Sequence, residues 1–211
     1  MNSSVAIAPY TAHLGRNPAD VAHDLESFAA LLLKWNRTQN LVSRETVDQL
    51  WPRHIVDSLQ LLKFIRPADR TFLDFGSGGG FPAIPLAIAG GRERTYILVE
   101  PIAKKTSFLR AVSRELRLDL RVEACRSDQL DPADLPPIDV ITSRALAPLV
   151  ALCRFASPFF RPQTRALFHK GREHVDELAE SDAVWHHDVL QHQSDTDASG
   201  VLLELSNLRL K

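Results

Sequence analysis

Two rhythms of apolar and polar positions divide the chain. Between Asn17 and Trp35 the apolar residues Val21, Leu25, Phe28, Leu32 and Trp35 recur every three to four positions, the period of a helix with one buried face. Asn17 and Pro18 suit its N-cap and first helical position, and Asp20 and Asp24 sit where the helix dipole favours acids. Residues 1–15 have no period and are expected to be loose. Asn40 to Ser43 (NLVS) breaks the pattern, and a second helical stretch is expected over about 45–64, interrupted by Pro52.

Beyond residue 66 the rhythm changes. Short β-type runs at Thr71–Phe75, Thr95–Val99, 120–124, 138–142 and 164–169 alternate with helical runs at 81–89, 102–116 and 173–180. Two final β-type runs, 184–192 and 201–208, flank a turn-rich segment from Ser194 to Gly200 and read as a closing hairpin. This order predicts an α/β fold: a mostly parallel sheet covered on both faces, ending in an antiparallel hairpin. It divides the chain into a helical extension (1–66) and an α/β domain (67–211). Right-handed crossovers put any ligand at the carboxyl ends of the strands.

Composition narrows the class. The 211 residues are 45% hydrophobic and 24% charged, ordinary for a globular protein able to bury a core. No run approaches the roughly 18 apolar residues of a membrane helix, and residues 1–10 lack the basic start and apolar core of a secretory leader. No membrane association and a cytoplasmic location are therefore expected. Cys125 and Cys153 make no disulfide framework and fit no metal spacing. The net charge is −1, but it is segregated. Residues 143–172 carry Arg144, Arg154, Arg161, Arg165, Lys170 and Arg172 with no acid. Residues 104–126 are also mostly basic. A positive face on a neutral protein suits a polyanionic partner, and Arg110, Arg114, Arg126, Arg161 and Arg165 are candidates for steering phosphates.

The candidate chemistry centres on Thr71 to Phe81, TFLDFGSGGGF. A strand, a glycine turn and a helix N-terminus make a site for a ligand that must touch backbone. Gly76 and Gly78 fit the dinucleotide fingerprint, but its third glycine position is Phe81. The spacing is instead G-x-G-x-G, with Gly80 third, and resembles the S-adenosylmethionine loop of Rossmann-like methyltransferases. Asp74 suits a cofactor bearing an ammonium group better than a pyrophosphate. Glu100, ending the second strand about 20 residues past the loop, is placed to take two ribose hydroxyls. Ser127 and Asp128, after the third strand, border the place of an adenine. Ser143-Arg144-Ala145-Leu146, after the fourth, faces a methyl acceptor. His54, Asp57 and Ser58 share a helix face and invite a hydrolase reading, but there is no G-x-S-x-G elbow and one helix cannot order a nucleophile, base and orienter around an acyl group. A polar interface between extension and main domain fits them better.

With these residues assembled, the chain resembles the glucose-inhibited division protein B family of bacterial 16S ribosomal RNA guanine-N7 methyltransferases. The matching pieces are NLVS at Asn40 to Ser43, RHIVDSL at Arg53 to Leu59, LDFGSGGGFPAIPLAI at Leu73 to Ile88, SRALAPL at Ser143 to Leu149 and HKG at His169 to Gly171. Ala83 stands where the family commonly has a glycine, and the hairpin matches weakly. The resemblance implies a class I Rossmann-like methyltransferase with a seven-stranded, mostly parallel sheet. It implies S-adenosylmethionine bound through Gly76, Phe81, Ser127, Asp128 and Arg144, with Gly78 and Glu100 beside them. It implies a guanine of the 530 loop of 16S rRNA (guanine 527 in the usual rRNA numbering) as substrate, with Arg144 and Lys170 at the acceptor. The expected partner is 16S rRNA or the 30S subunit, with no DNA and no metal, and the protein is expected to act as a monomer. A methyltransferase of another RNA or of a small molecule, and a non-catalytic RNA-binding assembly protein keeping a relict cofactor fold, stay open beside this reading.

Overall fold

The computed structural model describes residues 2–211. The N-terminal segment forms α1 (Ser3–Ile7), a 3-10 turn (Ala8–His13), the long α2 (Pro18–Gln39), the short α3 (Arg44–Val47), a π-helical turn (Trp51–Val56), α4 (Asp57–Leu59) and a 3-10 turn (Gln60–Phe64). The strands are β1 (Thr71–Phe75), β2 (Thr95–Val99), β3 (Leu120–Glu123), β4 (Val140–Arg144), β5 (Arg165–Lys170), β6 (Trp185–Gln193) and β7 (Val201–Leu210). Helices α5 (Ala83–Gly90), α6 (Ala103–Glu115), α7 (Leu149–Ala156) and α8 (His174–Val184) connect them.

The sheet has the order β3-β2-β1-β4-β5-β7-β6. The first five strands run parallel, and β7 pairs antiparallel with both β5 and β6. Chain direction across the sheet reverses between β1 and β4. The crevice outside their carboxyl ends is where such sheets hold ligands. β1 is buried almost end to end because it lies mid-sheet under helices on both faces.

Two apolar layers cover the sheet. One joins Phe72, Tyr96 and Ile84 to Leu25, Phe28, Leu32, Ile55 and Leu59, so the N-terminal helices share a core with the parallel sheet. The other packs Phe75, Ile141 and Phe168 against Leu149, Leu152, Phe159 and Trp185.

Two expectations are corrected, and a third gains its detail. Residues 2–15 are not loose: Ile7 and Tyr10 are buried, and Gly15 N–H donates to Ala89 O at 2.9 Å. Two short helical pieces fall below the length at which periodicity is visible, and their anchors are distant in sequence. Met1 lies outside the described residues. The stretch 45–64 is helical in short pieces and interrupted at Pro52, as expected. Pro52 lacks the N–H an α-helix needs, and the chain passes through a π-helical turn there. Arg165 is not a surface cation. It is 3% exposed and pairs with Asp69 and Glu204, each at 2.7 Å. It ties the start of β5 to β7 and to the segment before β1.

Candidate functional site

The glycine turn after β1 is built by its own backbone. Gly76 and Ser77 N–H groups both donate to Val99 O, at 2.9 and 3.1 Å, which closes the turn against the end of β2. Gly76, Gly78 and Gly80 have φ of +68°, +53° and +91°, a region that disfavours any residue with a Cβ. The three differ in what surrounds them. A Cβ on Gly76 would meet Leu146 Cδ1 at 2.7 Å, and one on Gly80 would meet Ile84 Cδ1 at 2.3 Å. A Cβ on Gly78 would find only the loop's own Gly76 O, at 3.6 Å. Gly78 is therefore the glycine whose bare face looks onto open space, as a backbone cradle for a cofactor requires.

Carboxylates support the turn. Gly78 N–H donates to Glu100 Oε2 and Ile102 N–H to Glu100 Oε1, both at 2.9 Å. Glu100 is buried, and both its oxygens are oriented by backbone. Asp74 takes Thr142 Oγ1–H on Oδ1 at 2.7 Å, while its buried Oδ2 has no partner. Burial pushes its pKa up to about 7, against the opposing hydrogen bonds of Ser77 and Thr142. An orphaned carboxylate oxygen under a glycine cradle fits a cofactor that brings a cationic hydrogen-bond donor.

Ser127 and Asp128 lie on the 3-10 turn Ser127–Gln129 after β3, at the same edge of the sheet. Asp128 is exposed, and Arg126 holds its carboxyl below the usual range through a hydrogen bond. Phe81 is buried at the end of the glycine turn. Its ring packs on Phe28 at 5.4 Å and on His54 at 5.0 Å, wedged between the turn and the N-terminal helices. Gly79 lies against the connection between α2 and α3, since a Cβ there would sit 3.0 Å from Leu41 O.

The end of β4 is the second half of the site. Arg144 is clamped from the N-terminal segment. Its Nε lies 2.9 Å from Asp57 Oδ2, Nη1 donates to His54 Nδ1 at 2.8 Å, and Nη2 donates to Arg53 O at 2.8 Å. Because Arg144 can only donate, His54 carries its proton on Nε2 and gives it to Thr46 Oγ1 at 2.9 Å. Burial and then the Arg144 charge lower the His54 pKa to about 4, so the imidazole is neutral. Asp57 Oδ1 accepts from Gln60 Nε2 at 2.7 Å and from Thr196 Oγ1 at 2.6 Å, which brings the β6–β7 turn to the same carboxylate. His169, buried with a lowered pKa, donates from Nε2 to Asp57 O at 2.9 Å. The polar interface expected from His54 and Asp57 is thus present. His54, Asp57 and Ser58 form no triad, because the Ser58 hydroxyl donates to His54 O.

Lys170 Nζ donates to Ala147 O at 2.8 Å and pairs with Glu177 at 2.5 Å. Its geometry fastens the loop after β4, where Ala145 has φ of +52°, rather than reaching outward. Cys153 is fully buried, its thiol pushed up to about 11 by burial, so it offers no thiolate.

A cavity of about 280 Å³ lies beyond Arg144, bounded by Arg53, Asp57, His169, Lys170, Gly171 and the turn between β6 and β7. Sequence reasoning missed His169 and that turn, because nothing in either segment marks it as a partner of Asp57. A larger hollow of about 810 Å³ lies at the opposite edge of the sheet, around Arg16, Tyr96 and Arg117, away from all these groups.

A family model described as rRNA small subunit methyltransferase G matches residues 21–201. The chain is 41% identical over 192 residues to a ribosomal RNA small subunit methyltransferase G of Cereibacter sphaeroides strain ATCC 17023, covering 90% of this chain and 92% of that one. It is 44% identical over 187 residues to the protein of the same name from Gluconobacter oxydans strain 621H, covering 88% and 93%. Among solved structures it resembles a glycopeptide N-methyltransferase complexed with S-adenosylmethionine (TM-score 0.60, 11% identity, 72% of this chain and 93% of that one). It also resembles Aeropyrum pernix fibrillarin with natively bound S-adenosylmethionine (TM-score 0.55, 16% identity, 73% and 75%). At such identities these two speak for the fold alone.

Proposed function

The chain belongs to the rRNA small subunit methyltransferase G family, and from that premise we propose that it methylates N7 of a guanine in the 530 loop of 16S rRNA, guanine 527 in the usual numbering. S-adenosylmethionine is the methyl donor, and when bound it supplies an electrophilic methyl group. The turn at Gly76 and Gly78 holds it by backbone, with Glu100 toward the ribose and Ser127 and Asp128 toward the adenine.

The observation that carries the reading is the chemistry at the end of β4. Exocyclic-amine methyltransferases carry an Asn/Asp-Pro-Pro-aromatic motif there, and cytosine-C5 enzymes need a thiolate. Here stand Ser143-Arg144-Ala145-Leu146, with a cation and no base. Asp57 is fully engaged, and the neutral His54 spends its lone pair on Arg144. Guanine N7 has its lone pair already and needs alignment and exclusion of water, not deprotonation. Arg144, held on three sides, can offer its cation to guanine O6 or to phosphate and leave the N7 lone pair free. The small cavity beyond it suits one base lifted out of its stack. The enzyme acts as a monomer on 16S rRNA or the 30S subunit.

The test is transfer of labelled methyl from S-adenosylmethionine to 30S subunits from cells lacking the gene, with identification of the nucleoside formed. Label in 7-methylguanosine supports the reading; label in another nucleoside, or none, refutes it.

A further inference from the structure

The cations at the acceptor cavity fall into two groups. Arg144 and Lys170 are both paired, to Asp57 and Glu177. Each of these charges is already offset by a carboxylate. Arg53 and Arg172 are different. Both are exposed, and among the described residues neither guanidinium has a hydrogen bond or an ion pair. Arg53 borders the cavity itself. Arg172 borders a second hollow of about 500 Å³, against the outer part of the β6–β7 hairpin with His174, Gln193 and Ser199. Val201 lines both hollows, so they adjoin.

Gly171 lines the first hollow, and Arg172, next in the chain, lines the second. A Cβ placed on Gly171 would meet nothing within 4 Å, so the passage is open at this point. Its backbone takes no positive φ, which means no strain demands a glycine there. The charges of both guanidiniums reach one carboxylate, Asp197 in the hairpin turn. The Ser199 N–H and hydroxyl, followed by the fields of Arg53 and Arg172, hold that carboxyl below its usual range.

We propose that Arg53 and Arg172 form a phosphate clamp for the RNA strand leaving the acceptor cavity, with Gly171 as the floor over which the strand passes. The flanking nucleotide enters the outer hollow, and its two neighbouring phosphates sit on the two guanidiniums in place of solvent. This rests on the RNA-methylating reading and says which surface delivers the base. The ligand is single-stranded ribose-phosphate backbone, since a duplex cannot thread two adjoining hollows of this size.

The probe is a fluorescein-labelled RNA hairpin with a guanine in its loop, and the readout is binding anisotropy over a salt series. Each phosphate contact contributes about 0.7 to the slope of log affinity against log salt for a single strand. The double variant R53Q/R172Q should therefore lower the slope by about 1.4. G171V, which adds bulk without strain, should weaken binding while leaving the melting temperature and the S-adenosylmethionine affinity unchanged. R92Q/R117Q removes the same charge at the opposite edge of the sheet and should leave the slope alone. Equal loss of slope in both double variants, or no loss in R53Q/R172Q, overturns the clamp. Absence of RNA binding by the wild-type protein overturns the RNA reading on which it rests.

Discussion

Asp57 and Arg144 stand 2.9 Å apart across the junction between the N-terminal segment and the end of β4. Their side chains are 13% and 20% exposed. The same carboxylate reaches Thr196 in the β6–β7 turn. One acid thus joins the N-terminal segment, the end of β4 and the hairpin. It is the only carboxylate among the described residues that pairs with Arg144, whose other hydrogen bonds go to one imidazole nitrogen and one carbonyl.

Replacing Asp57 should therefore cost both stability and turnover. D57N leaves a largely buried guanidinium without its counter-ion, a loss of about 3 kcal/mol. Urea denaturation should show that loss, and kcat should fall at least about tenfold with little change in S-adenosylmethionine affinity. A variant with normal kcat would dissociate Arg144 from the chemistry.

His54 gives a pH prediction. Its pKa is about 6.5 unfolded and about 4 folded, because burial and Arg144 penalise the charged ring. A base whose pKa is depressed by folding contributes stability above its unfolded value and loses it as pH falls. Wild-type stability should drop by on the order of 3 kcal/mol between pH 6.5 and 4 from this group. H54Q should be less stable at pH 7 but flatter across that window. An unchanged slope would mean that His54 is not held neutral.

These two residues also mark what the sequence conveys. Strand positions and the glycine turn are local patterns, and residues 71–81, 95–99 and the hairpin appear where the patterns place them. His54 and Asp57 were legible as an interface, because polar residues at helical spacing must face something. Their partners were not, since Arg144 lies about 90 residues away and Thr196 farther still. Arg165 misled for the same reason. A run of cations without acids looks like surface until Asp69 and Glu204 arrive from elsewhere.

Asp74 titrates with the opposite sign. Burial raises its pKa from 3.8 to about 7. Its contribution is fully present below pH 3.8 and is lost as pH rises through about 7. D74N should raise the melting temperature of the cofactor-free protein above pH 7, and should weaken S-adenosylmethionine in calorimetry because Asn carries no charge for the ammonium. Equal affinity in the two proteins would remove Asp74 from cofactor recognition.

Gly78 separates binding from folding. Its φ of +53° makes G78A cost about 1 kcal/mol, since the added methyl has room within the loop. The methyl would project where the cofactor approaches, so S-adenosylmethionine affinity should fall about tenfold or more, a change of about 1.4 kcal/mol. A folded G78A protein with wild-type affinity would move the cradle elsewhere.

On the proposed reading a cation, and no base, presents a ring nitrogen of 16S rRNA for methylation. Mass-spectrometric mapping of 16S rRNA from cells with and without the gene tests it most directly. The 7-methylguanine of the 530-loop fragment should disappear on deletion, return with the wild-type gene and fail to return with R144A. A knockout that keeps that methyl group, or loses a different one, would contradict it.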